Sequence, residues 1–456
     1  MVKPYEQRGL SVPSGRVTRA ARLGGLTTGI FGRMAADGAR AVLRGERPDR
    51  RALLLTPANA ARLTDELARM RGAAMKMGQL LSMEAGDLLP PELADVLAKL
   101  RADAHYMPPQ QLKSVLIGEY GPDFLKRFSK FDPRPVAAAS IGQVHRATAK
   151  DGRVLALKVQ YPGVRQAIDA DVSNLGALLK VSGLIPRGIE IEPFMAEARR
   201  QLHEEADYAR EAAELDRFGT RLDADPDFIL PRVQKDFCTE NILAMDFVES
   251  HPLETVEDHD QATRDRVATA LFDLFLRELL DWRHVQTDPN FANFRWQPTT
   301  AKIVLLDFGA ARDFPHSVAA SFGDVLQAAA DRDGTALFDR LVAFGLLPPA
   351  MPDGQRRLIT DMIDLGLPIM GQDRVDFGDT TLLAAMRDRG MQLGTDERFR
   401  HIPPWDVLYL QRKLAGLVLM ATRLRARVPL GSLIRAAVTG PVGRSIGQAS
   451  GGLAAS

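Results

Sequence analysis

Three positions in this chain could handle phosphate and a metal ion. Lys158 lies inside the apolar run Val154-Leu155-Ala156-Leu157-Lys158-Val159. An ammonium in such a strand is costly unless an anion, a carboxylate or a phosphate, faces it. Asp288 is followed five residues later by Asn293, a spacing that lets one loop carry an acid and an amide. Asp307 ends the short apolar run Lys302-Ile303-Val304-Leu305-Leu306 and precedes Phe308-Gly309. A carboxylate at a strand end, with a glycine freeing the backbone behind it, suits a metal bound to phosphates. Asp-Phe-Gly alone is equally a strand followed by a turn. In combination with Lys158, Asp288 and Asn293, the chemistry indicated is phosphoryl transfer.

The elements that must position these residues can be read in outline. Asp151-Gly152 joins two strand-like runs as a hairpin turn. Just upstream, Ala137, Ala138, Ala139, Ser140 and Gly142 form a run of small residues that lets backbone approach a ligand closely. Residues 164–222 read as two helices, and the second carries His203-Glu204-Glu205-Ala206-Asp207-Tyr208-Ala209-Arg210-Glu211. Asp207 and Glu211, four apart, share a face while Glu205 points elsewhere, so any of the three is a candidate counter-ion for Lys158. Strands around Phe228–Val233 and Ile242–Val248 are expected to complete a small sheet. A helix over about 262–282, a strand Ile303–Leu306 and helices from about 315 onward follow, with breaks at Leu347-Pro348-Pro349 and Pro403-Pro404. After Pro429 the chain is rich in Gly, Ala and Ser and reads as a frayed tail.

Upstream of residue 130 the pattern is helical. Residues 1–51 hold 11 Lys/Arg against 4 Asp/Glu, and Arg16, Arg19, Arg22, Arg33 and Arg40 alternate with apolar residues. That is either a solvated face or one drawn to an anionic membrane or acidic partner. Thr56-Pro57 opens a helix that carries Gly72-Ala73-Ala74-Met75-Lys76-Met77-Gly78-Gln79. On it Lys76 and Gln79 share one face.

The bulk numbers exclude several classes. With 456 residues, 45% hydrophobic, 26% charged and net charge +1, the chain is an ordinary globular protein with no call for nucleic acid. Cys238 is the single cysteine, so neither a disulfide framework nor a cysteine zinc site is available. No signal-peptide core and no run of 18 apolar residues is found, so a cytoplasmic protein, peripheral to a membrane at most, is expected. The absence of G-x-x-x-x-G-K-[ST] excludes a P-loop nucleotide hydrolase.

In chain order, a turn of small residues, a strand lysine, an acidic helix, Asp288 with Asn293, and Asp307-Phe308-Gly309 match protein-kinase-like phosphoryl transfer. There are three departures from an ordinary protein kinase. Alanines replace the glycine-rich loop; Gln286-Thr287 precedes Asp288 with no arginine; and no long activation segment follows Gly309. At this point the chain resembles the UbiB/AarF-type atypical kinases of ubiquinone biosynthesis. Lys76-Met77-Gly78-Gln79 looks like their Lys-x-Gly-Gln signature, Ala137–Gln143 like their alanine-rich nucleotide loop, and Glu205-Ala206-Asp207 like their Glu-x-Asp motif. Gln411-Arg412-Lys413-Leu414-Ala415-Gly416 is similar to a C-terminal helix of the branch with mitochondrial members.

The resemblance implies an α+β, protein-kinase-like two-lobed fold with an N-terminal helical extension packed over the active site. The expected domains are the extension at 1–128, an N-lobe with inserted helices at 129–250, a helical C-lobe at 251–430 and a tail at 431–456. It pairs Lys76 with Glu205 and Lys158 with Glu211, makes Asp288 the catalytic aspartate, and makes Asn293 and Asp307 the metal ligands. The hinge strand facing adenine would be Ala244-Met245-Asp246-Phe247-Val248, with Met245 and Phe247 at the nucleotide. The family's Asp-Pro-His-Pro-Gly-Asn loop is here Asp288-Pro289-Asn290-Phe291-Ala292-Asn293, which keeps the aspartate and asparagine and loses the histidine. Implied cofactors are ATP or ADP with Mg2+. Implied partners are an anionic membrane surface, quinone-precursor lipids and quinone-biosynthesis proteins; the oligomeric state stays open, a homodimer included. The expected function is an ATP-binding atypical kinase or ATPase supporting ubiquinone biosynthesis at the membrane surface. Its alternatives are a non-catalytic nucleotide-sensing scaffold and a kinase acting on proteins.

Overall fold

Pro109 starts the first described helix and Gly121, with φ of 87°, ends it: α1 spans Pro109–Tyr120. The structure, a computed structural model, describes Lys76 and residues 106–139, 141–182, 190–394 and 401–439. The basic helix, the Thr56-Pro57 helix apart from Lys76, Ser140 and the chain after Thr439 therefore lie outside the described residues, Gln79 among them. Contacts group the chain into two units, Met1–Arg217 with Pro231–Phe247, and Phe218–Leu230 with Val248–Ser456.

The first unit holds a twisted antiparallel sheet. Its strands are β1 (Phe128–Phe131), β2 (Ala137–Ala138), β3 (Gly142–Ala149) and β4 (Val154–Gln160). Gly152, at φ of 91°, makes the expected hairpin between β3 and β4, which stay in register from Gly142↔Gln160 to Thr148↔Val154. The run expected to extend this sheet at Phe228 does not do so: β5 (Phe228–Ile229) pairs in parallel with a strand of the second unit. The partner of β4 is β6 (Ile242–Asp246), giving the order β1-β3-β4-β6 with β2 on β3. Leu155, Leu157 and Val159 of β4 are fully buried with Ile242, Ala244, Leu116, Phe128 and Phe237. Because side chains alternate along a strand, Lys158 must leave by the opposite face.

Residues 164–222, read from sequence as two helices, form three: α2 (Val164–Ser182), α3 (Glu192–Ala206) and α4 (Tyr208–Leu222). The break falls at Asp207, with φ of −90° and ψ of 86°. Its carboxylate accepts the Arg210 N–H at 3.0 Å, so a residue that favours N-caps ends one helix and starts the next.

In the second unit, Asp260 caps α5 (Gln261–Leu276), which runs on as a π-helical turn over Arg277–Asp281. A small sheet runs β5, β10 (Lys302–Leu305), β9 (Phe294–Gln297), β7 (His251–Pro252). Beside it β8 (His284–Gln286) pairs with β11 (Ala311–Asp313). Helices follow: α6 (His316–Asp331), α7 (Gly334–Ala343), α8 (Asp353–Gly366) and α9 (Thr381–Gly394). Pro404 precedes α10 (Trp405–Arg423), which packs on α5. The expected tail starts later than residue 431, because Leu430–Thr439 forms α11, with Gly431 and Ile434 buried. Its Leu, Ile, Ala and Val outweigh the one glycine and let it bury a face.

Candidate functional site

Strand β4 delivers Lys158 and helix α4 delivers its counter-ion. Lys158 Nζ donates to Glu211 Oε1 at 2.7 Å and Oε2 at 2.8 Å, with Lys158 8% and Glu211 2% exposed. The Tyr208 ring lies 5.4 Å from the same ammonium. The three acids of the 205–211 stretch thus have separate duties. Glu211 holds Lys158, Asp207 caps α4, and Glu205 forms an ion pair with Lys76. Lys76 is helical and 6% exposed. Both ion pairs implied by the family resemblance are present.

The alanine-rich run is paired on both sides of Ser140. Ala137 and Ala138 pair with Val144 and Gln143, and the Ala139 N–H donates to the Gly142 carbonyl at 2.8 Å. Gly142 is demanded by contact: a Cβ there would lie 2.5 Å from the Val159 carbonyl oxygen and 2.9 Å from Tyr208 Oη. The expected hinge begins at the end of β6 and runs past it. Met245 is buried and pairs with Ala156. The Asp246 N–H donates to the Arg232 carbonyl and the Phe247 N–H to the Val154 carbonyl, so these two amides are used within the sheet. The Phe247 ring instead carries the Arg146 guanidinium at 4.6 Å.

The second unit gathers Asp288, Asn293 and Asp307 through strand pairing. Phe294 opposes Leu305, and the Leu306 N–H donates to the Asn293 carbonyl at 3.1 Å. Asn293 and Asp307 consequently emerge at the same end of β9 and β10. The β8–β11 pair brings Asp288 alongside, with Thr287 Oγ1 donating to the Ala310 carbonyl at 2.8 Å. Asn293 Nδ2 donates to Asp288 Oδ2 at 2.9 Å, and Asp307 Oδ1 accepts the Gly309 N–H at 3.0 Å. Phe308 is buried against Phe218 with ring centroids 4.6 Å apart. The departure Asn290-Phe291-Ala292 has its own local logic: Asn290 accepts the Ala292 N–H at 3.1 Å and caps the single turn Phe291–Asn293.

Four further residues at this place escaped assignment from sequence. Arg412 Nη2 lies 2.5 Å from Asp288 Oδ1. Gln286 Nε2 donates to the carbonyls of Asp288 at 3.0 Å and Asp307 at 3.2 Å. Lys413 donates to Gln286 Oε1 at 3.3 Å and pairs with Glu278 at 3.5 Å. Burial pushes the Glu278 carboxyl up, and the Lys413 ammonium opposes that shift. The available signal was the pair of adjacent cations, Arg412 and Lys413, between apolar stretches of α10.

As a magnesium site the donors fit. An amide whose NH2 faces Asp288 keeps its oxygen for a cation, and Asp307 adds a carboxylate. Among the described residues no group of three or more His, Cys, Asp and Glu could hold a metal alone. Two oxygen donors plus phosphates is the usual way for Mg2+ to be held.

The profile of the ABC1 atypical kinase-like domain matches residues 99–340. The chain belongs to this atypical kinase-like family, and its fold is α+β and kinase-like with a helical C-terminal part. It is 36% identical over 429 residues to the mitochondrial atypical kinase COQ8 of Saccharomyces cerevisiae, covering 93% of this chain and 85% of that one. It is 36% identical over 431 residues to the mitochondrial atypical kinase COQ8B of Rattus norvegicus, covering 93% and 80%. Among solved structures, the Rv3197–erythromycin complex from Mycobacterium tuberculosis aligns with TM-score 0.57 and 25% identity, over 82% of this chain and 94% of that one.

Proposed function

We propose that the protein binds ATP with Mg2+ and catalyses slow phosphoryl transfer from it, as an atypical kinase or ATPase supporting coenzyme Q biosynthesis at a membrane surface. The observation that carries this reading is the convergence of Asp288, Asn293 and Asp307 at the ends of three strands. Lys158, oriented by Glu211, takes the α and β phosphates. Asn293 and Asp307 would hold Mg2+, which when bound neutralises charge on the phosphates. Asp288 orients the acceptor. The link to coenzyme Q rests on relatives 36% identical over 93% of the chain. Quinone precursors and an anionic membrane are the partners this reading expects.

The purified protein should hydrolyse ATP faster with anionic liposomes, and Asp307→Asn should reduce turnover to background. Full activity in that variant removes Asp307 from the reaction. One observation favours a second reading, a nucleotide-sensing scaffold: both Asp288 oxygens are engaged, by Arg412 and Asn293. Mg2+-dependent ATP binding with no hydrolysis under any lipid condition would select it.

A further inference from the structure

One turn of α10 meets the catalytic loop at three points. Arg412 takes Oδ1 of Asp288 at 2.5 Å while Asn293 takes Oδ2 at 2.9 Å. Lys413, 2% exposed, is seated on Glu278 and donates to Gln286, whose amide spans the carbonyls of Asp288 and Asp307. Gly416, one turn after Arg412, lies so close to the loop that a Cβ would come within 2.2 Å of Pro289 Cβ and 2.4 Å of its Cγ. The loop supplies no cation of its own, since Thr287 precedes Asp288 and spends its hydroxyl on Ala310.

We propose that this turn is a permanent brace for the catalytic loop: Arg412 is a positioning residue for the Asp288 carboxylate, and Lys413 positions the Asp288 and Asp307 backbones through Gln286. In ordinary protein kinases the loop arginine needs a phosphorylated activation segment to be engaged. Here the cation comes from the fold itself, so the loop is ordered without phosphorylation. The geometry is favourable for this. A guanidinium and an amide on the two oxygens of one carboxylate fix its rotation as well as its position. A glutamine that bridges two carbonyls sets their spacing, and a buried ion pair holds that glutamine.

The inference rests on the ATP reading, and its test has an arm that does not. Arg412→Met keeps an apolar stem and removes the charge; Gly416→Ala pushes on Pro289 and leaves Arg412 in place. Amide hydrogen exchange should quicken several-fold over residues 288–293 in both variants, with the β9–β10 strands unchanged. ATP turnover in both should fall about 10- to 100-fold at an unaltered KM, the signature of a misplaced reacting group. Unchanged exchange in that loop overturns the brace, as does exchange that quickens throughout the second unit. A KM that rises while kcat holds also overturns it. If the wild type turns over no ATP, the functional reading falls while the exchange arm still decides the brace.

Discussion

Removing the carboxylate of Glu211 leaves the Lys158 ammonium in a setting where each partner is almost fully covered. Breaking such a pair from one side costs about 3–5 kcal/mol, because the remaining charge stays buried. Glu211→Gln should lower unfolding free energy by that order in urea titration, and Lys158→Met added to it should recover much of the loss. A single variant as stable as the wild type would show that water or another anion already serves Lys158. That Lys158 needed a partner was legible, since an ammonium in an apolar strand demands one. Which acid it was could not be read from helical spacing. The spacing argument assumed one continuous helix, and Asp207 interrupts it by capping α4. The Arg412–Asp288 and Gln286–Asp307 contacts were not legible for a different reason: they span 124 and 21 residues, and only the fold brings them together.

At the scale of elements, local pattern was informative where turn chemistry and alternation agreed. The β3–β4 hairpin, the proline-bounded α10 and the β10 strand before Asp307 were all readable. Phe228–Ile229 was misplaced because a two-residue strand has no periodicity from which to choose a sheet. Within β3, His145 is fully buried, with Gln143 Nε2 at 2.8 Å from its Nε2 and the Asp132 carbonyl at 3.0 Å from its Nδ1. A glutamine NH2 can only donate, so the ring is neutral with its hydrogen on Nδ1. Burial pushes its pKa below the ordinary 6.5, the Asp132 carbonyl partly opposing this. In the unfolded chain the imidazole takes a proton near pH 6.5, and in the fold it resists. This contribution is therefore complete above about pH 6.5 and falls as the pH drops below it, by at most about 1.4 kcal/mol per pH unit. Between pH 7.5 and 5.5 the wild type should lose more Tm than His145→Gln. Equal losses in the two proteins would remove His145 from the acid response.

For the whole molecule, the proposed action at a membrane surface turns on where the basic charge lies. Among the described residues no helix is long and apolar enough to cross one. The net charge of +1 is too small to draw the chain as a whole to an anionic surface. The charge is concentrated instead in residues 1–51, with 11 basic against 4 acidic side chains. Near an anionic leaflet each Lys or Arg contributes roughly 1 kcal/mol, an attraction confined to about a Debye length and weakened by salt. Replacing Arg16, Arg19, Arg22, Arg33 and Arg40 by Gln in the full chain should weaken sedimentation with anionic vesicles by about 100-fold or more. Wild-type binding should fall steeply as salt rises, and neutral vesicles should capture neither protein. ATP turnover without lipid should be the same in both, because none of the five residues belongs to the phosphate-handling set. If the neutralised chain still binds anionic vesicles at wild-type strength, the basic stretch serves a protein or its own fold. Liposome stimulation of turnover would then require another surface.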